Sequence, residues 1–209
     1  MKTKLTAKEI DQSYLEIKEK SQFDLDFLVL TICATVICAL GIYMNNLAVV
    51  IGSMIISPLL YPIINLATSI IKFDLRISLK QLFFQLVSFF LVIFIAFLIS
   101  KIFPINQQTV RENYLNNQQL IYSAYFLIAL FSGIAACFCF FWPGILDALA
   151  GIAISIALLP PLTVLGFTFS LTNDQYLPIA YIVILNYLGI FLGSLIMVFI
   201  LNITSEEKS

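Results

Sequence analysis

The chain has 209 residues, of which 61% are hydrophobic and 11% charged, with a net charge of −1 and no histidine. Its mean hydropathy of +1.01 falls in the range of multi-span membrane proteins and outside that of soluble domains. No long Lys/Arg cluster offers the footprint that nucleic-acid binding needs, and without imidazole there are no His-based metal sites, acid–base chemistry or pH switches.

The opening LTAKEIDQSYLEIKEK predicts a short amphipathic helix, with Thr6 as N-cap, Glu9 closing a capping box and Leu5 stapled against Ile10. Ile10, Tyr14 and Ile17 share one face, which can dock under the protein's own bundle, lie on the membrane surface or receive a partner chain. Residues 1–22 are read as this cytoplasmic leader. The segment before the first apolar run carries as many acids as bases, so it is not a cleavable signal and the first span is expected to stay as an anchor.

Residues 23–103 hold three expected crossings. The first runs from about Phe27 to Tyr43, preceded by Asp24 and Asp26, which suit the positive end of a helix dipole. The second, NNLAVVIGSMIISPLLYPIINLATSII, is long enough to cross a bilayer but carries Pro58 and Pro62 near its middle. Proline lacks an N–H and clashes with the carbonyl four residues back, so the helix is expected to break there. A polar hinge, IKFDLRISLK, leads to the third crossing, from about Leu82 to Ile102. Residues 104–119 form an Asn/Gln-rich external loop.

Residues 120–202 repeat the plan with crossings near Leu120–Trp142, Ala148–Phe169 and Tyr176–Leu201, followed by a polar cytoplasmic tail, 203–209. The middle one contains Pro160 and Pro161. A shift of 102 residues superposes Pro58 on Pro160, Leu47 on Leu149, Ala48 on Ala150, Ser53 on Ser155 and Asn45 on Asp147. Three spans per unit, an odd number, invert the second unit. The expected fold is all-α: a polytopic membrane protein of six transmembrane segments, arranged as two inverted three-helix repeats with Pro-broken second helices. With both termini inside, nine of the eleven Lys and Arg residues are cytoplasmic and only Lys101 and Arg111 are outside, so the N- and C-termini are assigned to the cytoplasm.

Inverted repeats with matching discontinuous helices are where secondary transporters place their substrate site. Half-helix ends can hold an ion without a charged side chain, and no charged residue lies deep in a span here; Asp147, at the start of the fifth, comes nearest. The candidate substrate or ion pathway is Asn45, Ser53, Ser57, Pro58, Pro62 and Asn65 in the first unit, with Asp147, Ser155, Pro160, Pro161, Thr163 and Asn186 in the second. Gln85 falls close to the place that corresponds to Asn186. The competing reading is that such side chains bond helices together and that Ser57 and Thr163 repair carbonyls freed by proline. Gly189 and Gly193 form a GxxxG, usable within the bundle or in a homo-oligomer. Cys33, Cys38, Cys137 and Cys139 lie in apolar spans without metal-ligand spacing and are read as packing residues.

GSMIISPLLYPIINLA, followed about a hundred residues later by GIAISIALLPPLTVLG and the Asn of ILNYLGIFLG, resembles the bacterial and archaeal "uncharacterised hydrophobic domain" proteins, domain of unknown function 389. The similarity covers roughly residues 25–201, and the positions that carry it are Gly52, Ser57, Pro58, Pro62, Gly151, Pro160, Pro161 and Asn186. It implies a multi-pass inner-membrane protein and supplies no substrate; many relatives also carry a soluble domain, in whose place only the leader is expected here.

The expected function is therefore a small-solute or ion transporter or channel, with the lipid bilayer and a small ion or neutral solute as its partners. The alternative is a membrane scaffold or signalling protein that recruits a partner through its N-terminal helix. No enzymatic chemistry, cofactor or metal is expected, because paired intramembrane acids, HExxH-like clusters and positioned bases are all missing from the sequence.

Overall fold

A computed structural model describes residues 7–104, 118–142, 147–170 and 176–206. These form eight α-helices: α1 (Ala7–Lys20), α2 (Leu25–Tyr43), α3 (Leu47–Ile56), α4 (Leu60–Ile71), α5 (Leu75–Ile102), α6 (Gln118–Phe141), α7 (Asp147–Thr168) and α8 (Tyr176–Glu206). Lipid offers no partner for a backbone N–H or C=O, so an apolar chain of this kind must pair them inside helices. Among the described residues four helices are long and apolar enough to cross a bilayer, or five when α3 and α4 count as one bent crossing.

Burial runs opposite to that of a soluble helix. Along α5 the buried positions include Ser78, Gln81, Gln85 and Ser88, whereas Leu75, Leu79, Phe83, Leu86 and Phe90 are exposed. Large apolar side chains outward and hydroxyls and carboxamides inward suit an apolar surrounding. The chain is a multi-pass membrane protein.

Local chemistry sets most boundaries. Asp24 caps α2, its carboxylate accepting from the Phe27 N–H at 2.9 Å, and Asp74 caps α5 through the Ile77 N–H at 3.0 Å. The second cap shortens the expected hinge over 71–80 to a tight turn, because a capped N-terminus lets the helix start at Leu75. α8 runs through Glu206, into the residues read as a polar tail, since neither Gly nor Pro stops it. The Thr6 and Glu9 capping contacts, the loop 105–117 and Pro143–Gly144 lie outside the described residues.

The first proline pair breaks its helix and the second does not. α3 ends at Ser57, whose ψ of 124° is the extended conformation that a following proline imposes, and α4 resumes at Leu60, bent 48° from α3. Pro62 falls in the first turn of α4, where a missing N–H costs nothing. The expectation of a matching break at Pro160 and Pro161 is corrected: α7 is one continuous helix with both prolines inside it. Adjacent prolines confine their two missing donors to a single turn. Leu158, Leu159, Leu162 and Val164 of that stretch are each no more than 1% exposed, and α2, α3, α5, α6 and α8 all pack on α7.

The helices mesh at small residues. α6 and α8 pack together most extensively, and α7 packs on α5. A Cβ at Gly193 would sit 2.1 Å from the Leu130 carbonyl oxygen, one at Gly133 2.3 Å from that of Ile190, and one at Gly166 2.5 Å from that of Ile93. The Gly189–Gly193 motif is thus a contact within the bundle. At one end α1 lies on α4 and α6, with Tyr14 edge-on to Phe141 at 4.8 Å and the Asn65 amide donating to the Ser21 hydroxyl. At the other end Tyr43 meets Phe103 at 5.2 Å and the Ser100 and Ser170 hydroxyls are hydrogen-bonded.

Candidate functional site

The break in the first half is buried within the protein. Ser57, Pro58, Leu59 and Leu60 are all buried, as interrupted backbone at membrane depth requires. Each proline frees a carbonyl four residues before it, that of Met54 for Pro58 and that of Pro58 for Pro62. Both are taken up by the backbone: the Ser57 N–H donates to Met54 O and the Tyr61 N–H to Pro58 O, each at 3.3 Å. The repair role considered for the Ser57 hydroxyl is therefore already filled. That hydroxyl is 8% exposed and has no hydrogen-bond partner among the described residues. It stands where the carbonyl end of α3 and the amide end of α4 converge, offering partial charges of both signs.

The second half closes over this break. α3 packs against α7; Leu59 shares an apolar cluster with Leu159 and Leu162, and Leu60 shares another with Leu158. Ser53 and Thr163 both lie against the Cys38 thiol on α2, so one polar residue from each half meets there. Each also bonds back into its own helix, Ser53 to Val50 O at 2.6 Å and Thr163 to Leu159 O at 2.8 Å. Leu159 O is not a carbonyl that proline frees, so Thr163 is not a repair group either. Pro160 and Pro161 are buried beside it.

The remaining expected residues are spread further. Asn65 is buried near the α1 end of α4 and holds Ser21, joining the leader to the bundle. Asn45 is exposed in the α2–α3 turn with φ 51°, a left-handed conformation that Asn tolerates, and its neighbour Asn46 caps α3 through the Ala48 and Val49 N–H groups. Asn186 is fully buried on α8. The side chains of Asp147 and Ser155 lie outside the described residues.

The sequence reading passed over most of a polar row on α5. Ser78, Gln81, Gln85 and Ser88 recur at intervals of three and four residues, which places them on one face, and all four are buried. That spacing is visible in the sequence, where Gln85 alone corresponds to an expected site residue, Asn186. The Tyr187 hydroxyl of α8 donates to the Gln85 carboxamide oxygen. These two positions are 102 residues apart, the same offset that superposes the two halves. The row begins at a cleft of about 430 Å³ lined by Tyr14, Lys18, Asn65, Thr68, Ser69, Lys72 and Asp74, among others. Ser78 donates to Ser69 at 2.9 Å, and the Lys72 ammonium sits 3.5 Å from the centre of the Tyr14 ring. Among the described residues no group of three or more His, Cys, Asp or Glu is placed to hold a metal.

Comparison with known proteins gives a family and no activity. The family described as "Domain of unknown function (DUF389)" matches residues 54–199, from within α3 to near the end of α8. The uncharacterized protein MJ0678 of Methanocaldococcus jannaschii is 34% identical over 145 residues, covering 66% of this chain and 42% of that protein. The chain thus spans well under half of that relative's length. No solved structure matches.

Proposed function

The chain belongs to the DUF389 family, a membership that names no activity, and we propose that it is a small-solute or ion transporter of the cytoplasmic membrane, with its pathway at the break between α3 and α4. The observation that carries this reading is the buried Ser57 hydroxyl, left open between two helix ends while backbone N–H groups absorb the carbonyls that proline frees. A buried hydroxyl without a partner costs about 1–3 kcal/mol, which a dry packing role gives no reason to retain.

The inverted arrangement of two three-span units is part of the same proposal and has its own support. The middle helix of each half packs on the third helix of the other, α7 on α5 and α4 on α8. The Gln85–Tyr187 bond joins positions equivalent under the repeat, as residues on a pseudo-two-fold axis would be joined. On this reading the pathway is lined by Ser53, Ser57 and Thr163, with Asn186 toward α8 and Asn65 toward the cytoplasmic end that the Lys/Arg bias assigns to α1. The scaffold alternative is weakened because α1 spends its apolar face inside the protein, with Ile17 1% exposed and Ile10 7%.

The test is flux into proteoliposomes of purified protein, screened across monovalent ions and small neutral solutes. Ser57→Leu is expected to abolish flux and Ser57→Thr, which keeps the hydroxyl, to retain it. Equal flux through the Leu variant and the unaltered protein would remove the break from the mechanism.

A further inference from the structure

We infer that the buried polar row on α5 is a solvated path leading from the cleft beside α1 to Gln85, and that it takes a small uncharged solute bearing both a hydrogen-bond donor and an acceptor. The inference rests on the transport reading above and extends it to residues outside the helix break.

Among the described residues, the Gln81 Oε1 and the Gln85 Nε2 are buried without hydrogen-bond partners. The first is an acceptor and the second a donor, four residues apart on one helix face, hence about 6 Å apart along the axis. Each buried polar atom left unmet costs about 1–3 kcal/mol, and water or a solute in the row would meet both. Tyr187 orients the upper group: by donating to Gln85 Oε1 it leaves Nε2 as the side of the carboxamide that faces an incoming molecule. The entrance is continuous with the row, because Ser69 lines the cleft and accepts from Ser78, the row's first residue. A cleft of about 430 Å³ admits a molecule of several heavy atoms with its water.

The chemical class follows from what the row lacks. From Gln81 to Ser100 there is no Asp, Glu, Lys or Arg, so no formal charge offsets the dehydration of a bare ion along α5. A donor and an acceptor one turn apart instead match an amide, a urea or a polyol, which presents both functions over a few ångströms.

Two measurements on the full chain test this. With Cys33, Cys38, Cys137 and Cys139 replaced by alanine, Gln81→Cys and Gln85→Cys are treated with a membrane-impermeant maleimide. Both are expected to be labelled, and Val92→Cys, on the same buried face beyond the row, to stay unlabelled. In parallel, proteoliposomes are challenged with gradients of urea, glycerol and potassium chloride. Urea or glycerol is expected to equilibrate several-fold faster than in protein-free vesicles, and Gln85→Leu to remove the difference. Absence of label at both glutamine positions overturns the path, identifying the row as dry helix contact. Label together with salt flux alone overturns the solute class. Flux blocked by Ser57→Leu but unchanged in Gln85→Leu overturns this inference and leaves the transport reading standing, whereas no flux of any probe overturns the transport reading itself.

Discussion

Two glycines in this chain should respond oppositely to the same added methyl. At Gly193 on α8 a Cβ would lie 2.1 Å from the Leu130 carbonyl oxygen and 3.0 Å from the Ile134 nitrogen. Both are backbone atoms of α6 and cannot rotate away. The nearer contact is about 1.3 Å inside the 3.4 Å at which ordinary contact begins, so α6 and α8 must part by on the order of an ångström. A gap of 0.5–1 Å forfeits roughly a quarter to a half of each dispersion contact along the seam, and overpacking of this kind costs about 1–3 kcal/mol or more. The gain in helix propensity from Gly to Ala, about 1 kcal/mol, offsets only part of that. Gly193→Ala is therefore expected to destabilise by about 1–3 kcal/mol. At Gly52 on α3 nothing lies within 4 Å of the added carbon, so Gly52→Ala keeps the propensity gain and should be neutral or stabilising by up to about 1 kcal/mol. Unfolding in mixed micelles titrated with sodium dodecyl sulfate and followed by far-ultraviolet circular dichroism compares the two directly. Equal midpoints for both variants would refute the assigned α6–α8 crossing.

Two further changes test how the ends and the middle of the bundle are held. Asn65→Leu removes the amide that holds Ser21 and should speed amide hydrogen exchange across α1 about 5-fold to 30-fold, corresponding to a lost buried hydrogen bond of about 1–2 kcal/mol; unchanged exchange would mean that α1 is held by Ile10, Tyr14 and Ile17 alone. Replacing Pro160 and Pro161 together by alanine restores two donors to a helix already continuous there, so the variant should resist unfolding better by a few kcal/mol, read as a higher midpoint in the same titration; a lower midpoint would show that the bundle depends on the proline geometry.

Much of this fold was legible because its determinants are local. Asp24, expected only as an acid suited to the positive end of α2, caps that helix, and the face of Ile10, Tyr14 and Ile17 is the face that docks. The first broken crossing followed from Pro58, since the ring restricts Ser57 directly. What depended on neighbours was less visible. Pro160 and Pro161 sit in an unbroken helix on which α2, α3, α5, α6 and α8 all pack, and no rule about proline alone contains that information. The spacing of Gln81 and Gln85 puts them on one face of α5, but whether that face turns inward depends on the helices packed against it.

The unequal outcome at the two proline pairs bears on where a solute would meet this protein. Were both middle helices broken, their ends would compete to supply the pathway's polarity; were both continuous, only side chains would remain. Here one half contributes helix ends and an unmet hydroxyl at Ser57, and the other an unbroken helix whose Thr163 meets Ser53 against the Cys38 thiol. Gln85 and Tyr187 bond across the two halves at matching positions of the repeat, on helices that each pack against the middle helix of the opposite half. Polar side chains of the two halves thus meet at two places, Ser53 with Thr163 at the Cys38 thiol and Gln85 with Tyr187, in a bundle that turns many leucine, isoleucine and phenylalanine side chains outward. Those two polar contacts, more than the presence of any single proline, are the physical ground for seeking a solute between the halves.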